Sequence, residues 1–351
     1  MPSVLPKTDP VSYFDVLSGT FEQARASAGA VEKFLRVGGL RIKLRFAGEK
    51  LLPLLARALV PLEVPPFSSA DLTVCLWDSD STRTPMPPPA WGAEDYRERG
   101  EIWNFTDERI VTFFHIGPNT LSMLDTQRNL ALFWVRQAGQ INTHVRSAPL
   151  LSLFNVWMRK HGIQLVHAGA VGTPKGAVLL AGKGGSGKST TCLACLDSEL
   201  FYLSDDYCLV QNDPEPTVFS LYGTGKQNPE DLPRFPFLSG AVSNPSELAG
   251  GKALYFLNEH FPGKLLKCSP LKAILLPRIT NRPFPALQKA SGKAALDALA
   301  ASTVFQLPGA GEETLDAIAA LVRKLPCFYL DLSADPNQAP AVILDFLSGS
   351  S

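Results

Sequence analysis

Eight consecutive residues constrain this chain more than any others: Gly182-Lys183-Gly184-Gly185-Ser186-Gly187-Lys188-Ser189, which fit the pattern G-x-x-x-x-G-K-[ST]. A short apolar run, residues 177–181, precedes them, and residues 190–196 read as a helix. Strand, glycine-rich loop and helix in that order make a phosphate-binding P-loop. Glycines let the backbone curl so that successive N–H groups turn inward on a phosphate chain. The helix N-terminus adds its positive end. Gly182, Lys183, Gly184, Gly185, Ser186, Gly187, Lys188, Ser189 and Thr190 are therefore the candidate nucleotide-binding residues. Lys188 is expected to reach the β- and γ-phosphates and Ser189 to ligate Mg²⁺. A turn that only capped a helix would not need a lysine and a serine after its last glycine.

The chain of 351 residues has room for one large domain or two ordinary ones, and 45% hydrophobic residues support a true core. Lys+Arg and Asp+Glu both number 33, so the net charge is zero, which argues against a nucleic-acid-binding surface. Cys192 and Cys195 form a C-x-x-C, but no second pair and no partner histidines accompany them. They read, with Cys75, Cys208 and Cys327, as small buried hydrophobes. The first residues, MPSVLPKTDP, lack the basic-then-apolar run of a signal peptide, and no stretch of about 18 apolar residues occurs. A cytoplasmic protein without a membrane span is expected.

Residues 1 to about 30 are weakly patterned and suggest a loose start with a short helix. Leu40, Ile42, Leu44 and Phe46 alternate with Arg41, Lys43 and Arg45, which predicts a half-buried strand with one basic face, most simply a solvated one. Residues 49–60 read as a helix. Strands are predicted at 72–77, 110–116, 120–124 and 130–135, the last three joined as hairpins. Residues 147–161 change to helical spacing. Strands follow at 164–171, 177–181, 201–203, 207–210, 218–222, 253–257, 271–276 and 327–332, and helices at 293–301, 311–324 and 340–347. Residues 221–227 read as a glycine-rich turn bearing Lys226, and 305–309 as a loop linking two helices. Strands cluster on both sides of the glycine loop, so the expected fold class is mixed α/β rather than an even βαβ alternation. Two domains are expected, a β-rich module over 1–145 and a P-loop domain over 146–351.

Two further features converge on the loop. Asp205-Asp206 end a short apolar strand after the P-loop helix. One carboxylate there can hold Mg²⁺, assigned to Asp206 with Ser189, and one can take a proton from an attacking hydroxyl. His167 precedes a tight hairpin into the P-loop strand, where an imidazole could relay a proton or stabilise charge. Lys226 and Arg278 are the candidate cations for the γ-phosphoryl oxygens or the substrate.

His167-Ala168-Gly169, the loop and Ser204-Asp205-Asp206 together resemble the catalytic domain of the HPr kinase/phosphorylase family of bacterial serine kinases. The resemblance spans about residues 160–330 and is firm over 164–210. It implies the P-loop fold shared with ATP-dependent phosphoenolpyruvate carboxykinase, here with an added N-terminal β-rich module. It further implies ATP and Mg²⁺ as cofactors and Asp205, Asp206, His167 and Lys188 as catalytic residues. The glycine-rich signature beyond the Asp pair and the C-terminal basic loop of the bifunctional enzymes are absent, so neither the phosphorylase activity nor HPr as substrate carries over. The chain looks more like the HPr-kinase-related proteins of uncertain substrate, of which lasso-peptide tailoring kinases are one branch. The expected function is transfer of the γ-phosphoryl group of ATP to a hydroxyl, serine above all, of a protein, peptide or small molecule. The alternative is a nucleotide-binding switch or ATPase without an acceptor. The acceptor is unidentified, and self-association is left open.

Overall fold

The computed structural model describes residues 9–280 and 282–349. The expected reading of residues 1–8, and Asn281, lie outside them. The protein is mixed α/β and forms two compact units, one of Met1–Arg57 with Glu63–Trp157, the other of Ala58–Leu62 with Met158–Ser351. The division falls inside the Leu151–Arg159 helix, between Trp157 and Met158.

The first unit is built on six strands, β1 Ala30–Val37, β2 Leu40–Ala47, β3 Leu72–Asp78, β4 Ile110–His115, β5 Thr120–Asp125 and β6 Leu130–Val135, in the order β1-β2-β3-β6-β5-β4. β1–β2, β4–β5 and β5–β6 are antiparallel, whereas β2–β3 and β3–β6 are parallel. The Pro10–Ala28 helix packs Phe14, Leu17, Phe21 and Ala24 on Cys75, Trp77, Met123 and Leu132 of one sheet face. Their spacing of three and four residues puts them on one side of a helix. Asp9 starts this helix by accepting from the Ser12 amide. It has 19 residues, so the short helix expected here is corrected.

Other expectations change as well. Residues 49–60 give two short pieces, an α-helical turn Leu52–Leu55 and a 3-10 segment Arg57–Leu62 that contains Pro61. The single helix expected over 147–161 is broken into Thr143–Ser147 and Leu151–Arg159, with Leu150 between them at φ +59°. Pro149 accounts for the break, because it disfavours helical backbone at Ala148. The basic face of β2 is not an open one: Arg41 pairs with Asp71, Lys43 with Glu32, and Arg45 with Glu22. β1, not foreseen, buries only Leu35 and Val37, and its apolar residues Ala30, Val31, Phe34, Leu35 and Val37 do not alternate with polar ones.

The second unit contains β7 Ile163–Val166, β8 Gly169–Thr173, β9 Gly176–Leu180, β10 Phe201–Ser204, β11 Cys208–Gln211, β12 Thr217–Ser220, β13 Thr224–Gln227, β14 Ala253–Phe256, β15 Cys268–Ile279, β16 Ala286–Lys289 and β17 Cys327–Leu332. Its main sheet runs β10-β8-β9-β15-β12-β11-β7, with β17 paired to β15 and to β16; β13 and β14 form a separate pair. β15 is the parallel neighbour of both β9 and β17. Alternation divides their side chains between two cores. Val178, Leu180, Leu275 and Leu330 pack under the Lys188–Ala194 and Ala339–Ser348 helices, while Ala177, Leu179, Ile274 and Leu276 pack under the Gly292–Thr303 and Glu312–Lys324 helices. Burial on both faces is what a parallel sheet requires, and it explains why these strands read as continuous apolar runs.

The strand expected over 164–171 is two strands, β7 paired with β11 and β8 paired with β9 and β10. His167 and Ala168 lie at the change of partner. The turn expected over 221–227 contains a true strand, β13. Among the described residues no helix is long and apolar enough to cross a membrane.

Asp125 is the polar hub of the first unit. It is fully buried, accepts from Arg109 at 2.9 and 3.1 Å, and accepts the amides of Gln127 and Arg128 at 3.0 and 3.1 Å in the β5–β6 turn. Burial pushes its carboxyl up, but these donors win and hold it below the usual carboxylate range. Asp125→Asn is therefore expected to lose about 2 kcal/mol in denaturant unfolding at pH 7. The wild type should lose this advantage as pH falls below about 4, through the depressed folded-state value, because protonation abolishes the same contacts. A difference that persisted undiminished at pH 2 would contradict this.

Candidate functional site

The parallel register brings three strand ends to one edge: Leu180 stands beside Leu275, and Ile279 beside Leu332. In α/β sheets this carboxyl edge is where ligands bind. The glycine loop leaves β9 there and turns into the Lys188–Ala194 helix. Gly185 and Gly187 have φ of +79° and +102°, which side-chain-bearing residues rarely adopt. At Gly187 a Cβ would also lie 2.4 Å from Leu332 Cδ1. Lys188 is only 7% exposed, and its ammonium donates to the carbonyls of Gly182 at 2.6 Å and Lys183 at 3.2 Å. The loop is thus wrapped around its own lysine. Burial lowers the Lys188 pKa, while the nearby carboxylates of Asp206 and Asp205 oppose this. Ser186 Oγ is buried without a hydrogen-bond partner among the described residues. Ser189 and Thr190 are half-buried.

The structure brings His167, Asp205, Asp206 and Lys226 together. His167 Nε2 lies 2.8 Å from Asp206 Oδ1, and the Lys226 ammonium pairs with Asp206 Oδ2. The Lys226 amide donates to Asp205 Oδ2 at 2.8 Å. One lysine therefore serves both carboxylates, one through its backbone and one through its side chain. This works because β13 runs as a strand, with the residue's amide and side chain fixed relative to each other. The two carboxyls diverge in character. Asp205 is 3% exposed, and burial followed by the neighbouring Asp206 charge pushes it up to about 6. Asp206 is also raised by burial, but His167 and Lys226 outweigh that and hold it firmly ionised.

Sequence reasoning missed the support behind His167. The His167 amide donates to Thr303 Oγ1 at 3.1 Å, and Ser302 Oγ donates to the His167 carbonyl at 3.2 Å. Gln306 Oε1 stands 2.9 Å from Nδ1. The break between β7 and β8 leaves His167 outside both strands, and the end of the Gly292–Thr303 helix supplies partners for its backbone. Residues 305–309 are thus more than a linker, since Gln306 reaches the site. Ser and Thr at a helix end carry no signal that separates this from ordinary capping.

Arg278 is not part of the His167 cluster. It pairs with buried Asp331, donates to Gln288 Oε1 at 2.9 Å, and lies 4.1 Å over the Tyr329 ring. Arg282 joins Asp331 at 3.2 Å. Arg278 and Tyr329 line a cavity of about 420 Å³ whose other walls are the glycine loop, from Gly182 to Ser186, and Ala294 and Ala298. The loop thus walls this largely apolar cavity over β15 and β17, and its Lys188 lies near the carboxylates of Asp206 and Asp205.

No family model matches the chain, and no curated protein matches it. Among solved structures it is similar to the Hpr(Ser) kinase/phosphatase from Coxiella burnetii, at 11% identity over 53% of this chain and 95% of that one, with a TM-score of 0.29.

Gly187→Ala is expected to lower stability by about 1–2 kcal/mol, from the left-handed backbone and the Leu332 contact together. In a double-mutant cycle with Leu332→Ala the two losses should add to less than their sum, since truncating Leu332 removes the contact but not the backbone strain. Strict additivity would remove Leu332 from the account.

Proposed function

We propose that the second unit is an ATP- and Mg²⁺-dependent phosphotransferase that moves the γ-phosphoryl group to a hydroxyl, serine above all, of a peptide, protein or small molecule. The observation that carries this reading is the nearness of the lysine-filled glycine loop and its helix to Asp205 and to the His167–Asp206–Lys226 network. Loops of this kind hold phosphate chains, and a carboxylate beside them suits a hydroxyl acceptor. The nucleotide fits the features present. The orphan Ser186 Oγ is a donor awaiting an acceptor, and the side-chain-free Gly184 and Gly185 leave open space for an approaching anion. The cavity over Ala294, Ala298, Arg278 and Tyr329 matches a nucleoside in size and in its mix of apolar and planar surface.

For Mg²⁺ the donor set is oxygen, as that ion prefers: Ser189 Oγ and the ionised carboxylate of Asp206 would hold it, in keeping with its use of one or two protein ligands beside phosphate. Bound there, the ion neutralises charge on the phosphates. The residues of the chain then divide the remaining work. Lys188 exchanges its loop carbonyls for phosphate oxygens. His167 and Lys226 fix Asp206. Asp205, with a carboxyl near 6, is suited to accept the acceptor's proton near neutral pH. In the transfer the acceptor oxygen bonds to the γ-phosphorus, the bond from that phosphorus to the β–γ bridging oxygen breaks, and ADP leaves with the electron pair.

Incubation of purified protein with Mg-ATP and candidate hydroxyl acceptors, read by mass spectrometry, should yield a phosphorylated product. Lys188→Ala should abolish it, and Asp205→Asn should slow it by roughly 10²–10⁴-fold. Release of inorganic phosphate alone, at a rate Asp205→Asn leaves unchanged, would favour an acceptor-free ATPase and overturn the transferase reading.

A further inference from the structure

A further lysine, Lys252, stands near the site with no hydrogen bond or ion pair among the described residues. β13 and β14 are antiparallel with Lys226 opposite Leu254. Lys252 directly precedes β14, and continuing the strand's alternation by one residue sets it, two residues before Leu254, on the Lys226 side of the pair, the side turned to Asp206. The opposite side carries Ala253 and Tyr255 into the core. Lys252 follows Gly250-Gly251 and is exposed, yet its backbone is pinned. Asn244, itself 3% exposed, donates to the Lys252 carbonyl at 3.0 Å and accepts from the Leu254 amide at 2.8 Å. Lys188 bonds to its loop and Lys226 to Asp206, whereas the Lys252 ammonium has no hydrogen bond or ion pair among the described residues. Its charge nonetheless acts on both Asp205 and Lys188.

We propose that Lys252 binds the terminal, transferable phosphoryl group of the nucleotide. This rests on the nucleotide reading above and goes beyond it by adding a residue that no motif indicates. Charge supports it. Lys226 and Asp206 offset each other, and the single carboxyl of Asp205 cannot offset both Lys188 and Lys252, so a positive charge is left in surplus. Such a site is completed by an anion held between the two lysines. Lys188 is tied to the loop and so to the phosphates lying along it. Lys252 comes from the β14 side, next to the carboxylates, where the group to be transferred must lie.

Affinities for Mg-ATP and Mg-ADP, measured by calorimetry, test the assignment. Lys252→Ala should weaken ATP about tenfold and leave ADP within about twofold, because one charge-assisted hydrogen bond to the terminal phosphate is lost. Lys252→Arg should recover part of the ATP affinity. Lys252→Gln serves as a second neutral variant should the alanine protein not fold. Unchanged ATP affinity, or equal losses for ATP and ADP, would overturn the assignment while leaving nucleotide binding intact. A wild-type protein that bound neither nucleotide would overturn the nucleotide reading and this one with it.

Discussion

The second unit depends on one constraint, the parallel alignment of β9, β15 and β17. Parallel neighbours must all end on the same edge, and both of their faces must be covered. The first requirement gathers the glycine loop, the Arg278 segment and the end of β17 into one place. The second places the Lys188–Ala194 helix on one face and the Gly292–Thr303 helix on the other. One helix begins with the lysine of the loop; the other ends in the two hydroxyls that hold His167. Packing demand and site construction are here the same event.

Around that edge the polar groups are arranged so that few remain unsatisfied. Asp206 is the pivot, with an imidazole on one oxygen and an ammonium on the other. Removing either neighbour would leave a largely buried carboxylate short of a partner, a more severe loss than the mean value of a hydrogen bond. Asp205 escapes this by leaning toward its neutral form. Two adjacent residues of the same type thus differ through surroundings alone.

The site's outline was legible in the sequence because its parts are local. The glycine loop, the Asp pair and His167 each announce themselves within a few residues, and the structure assembles the Asp pair and His167 with Lys226. Strands buried on both faces were equally plain, since β9 and residues 273–277 of β15 are unbroken apolar runs and β17 is interrupted only by Asp331. What escaped was long-range or non-periodic. β13 is four residues beginning Thr-Gly, and only its pairing with β14 makes it a strand. Lys252 and Gln306 are ordinary polar residues until register or a helix end aims them. The salt bridges that neutralise Arg41, Lys43 and Arg45 come from segments distant in the chain. Arg278 stood out as a cation near a core strand, but no periodicity could reveal that Asp331 and Tyr329 occupy it.

Lys188 holds a further consequence. Its ammonium already fills the hollow of the loop, bonded to the carbonyls of Gly182 and Lys183. The loop is therefore moulded on the very cation it would present. An anion bound as proposed would not create the curved backbone; it would replace carbonyl oxygens in the shell of a charge that is already in place. The affinity for such an anion would then be a difference between two sets of oxygen contacts, with little conformational entropy left to lose. A shape templated by an internal ion persists between encounters, so successive ligands meet the same mould.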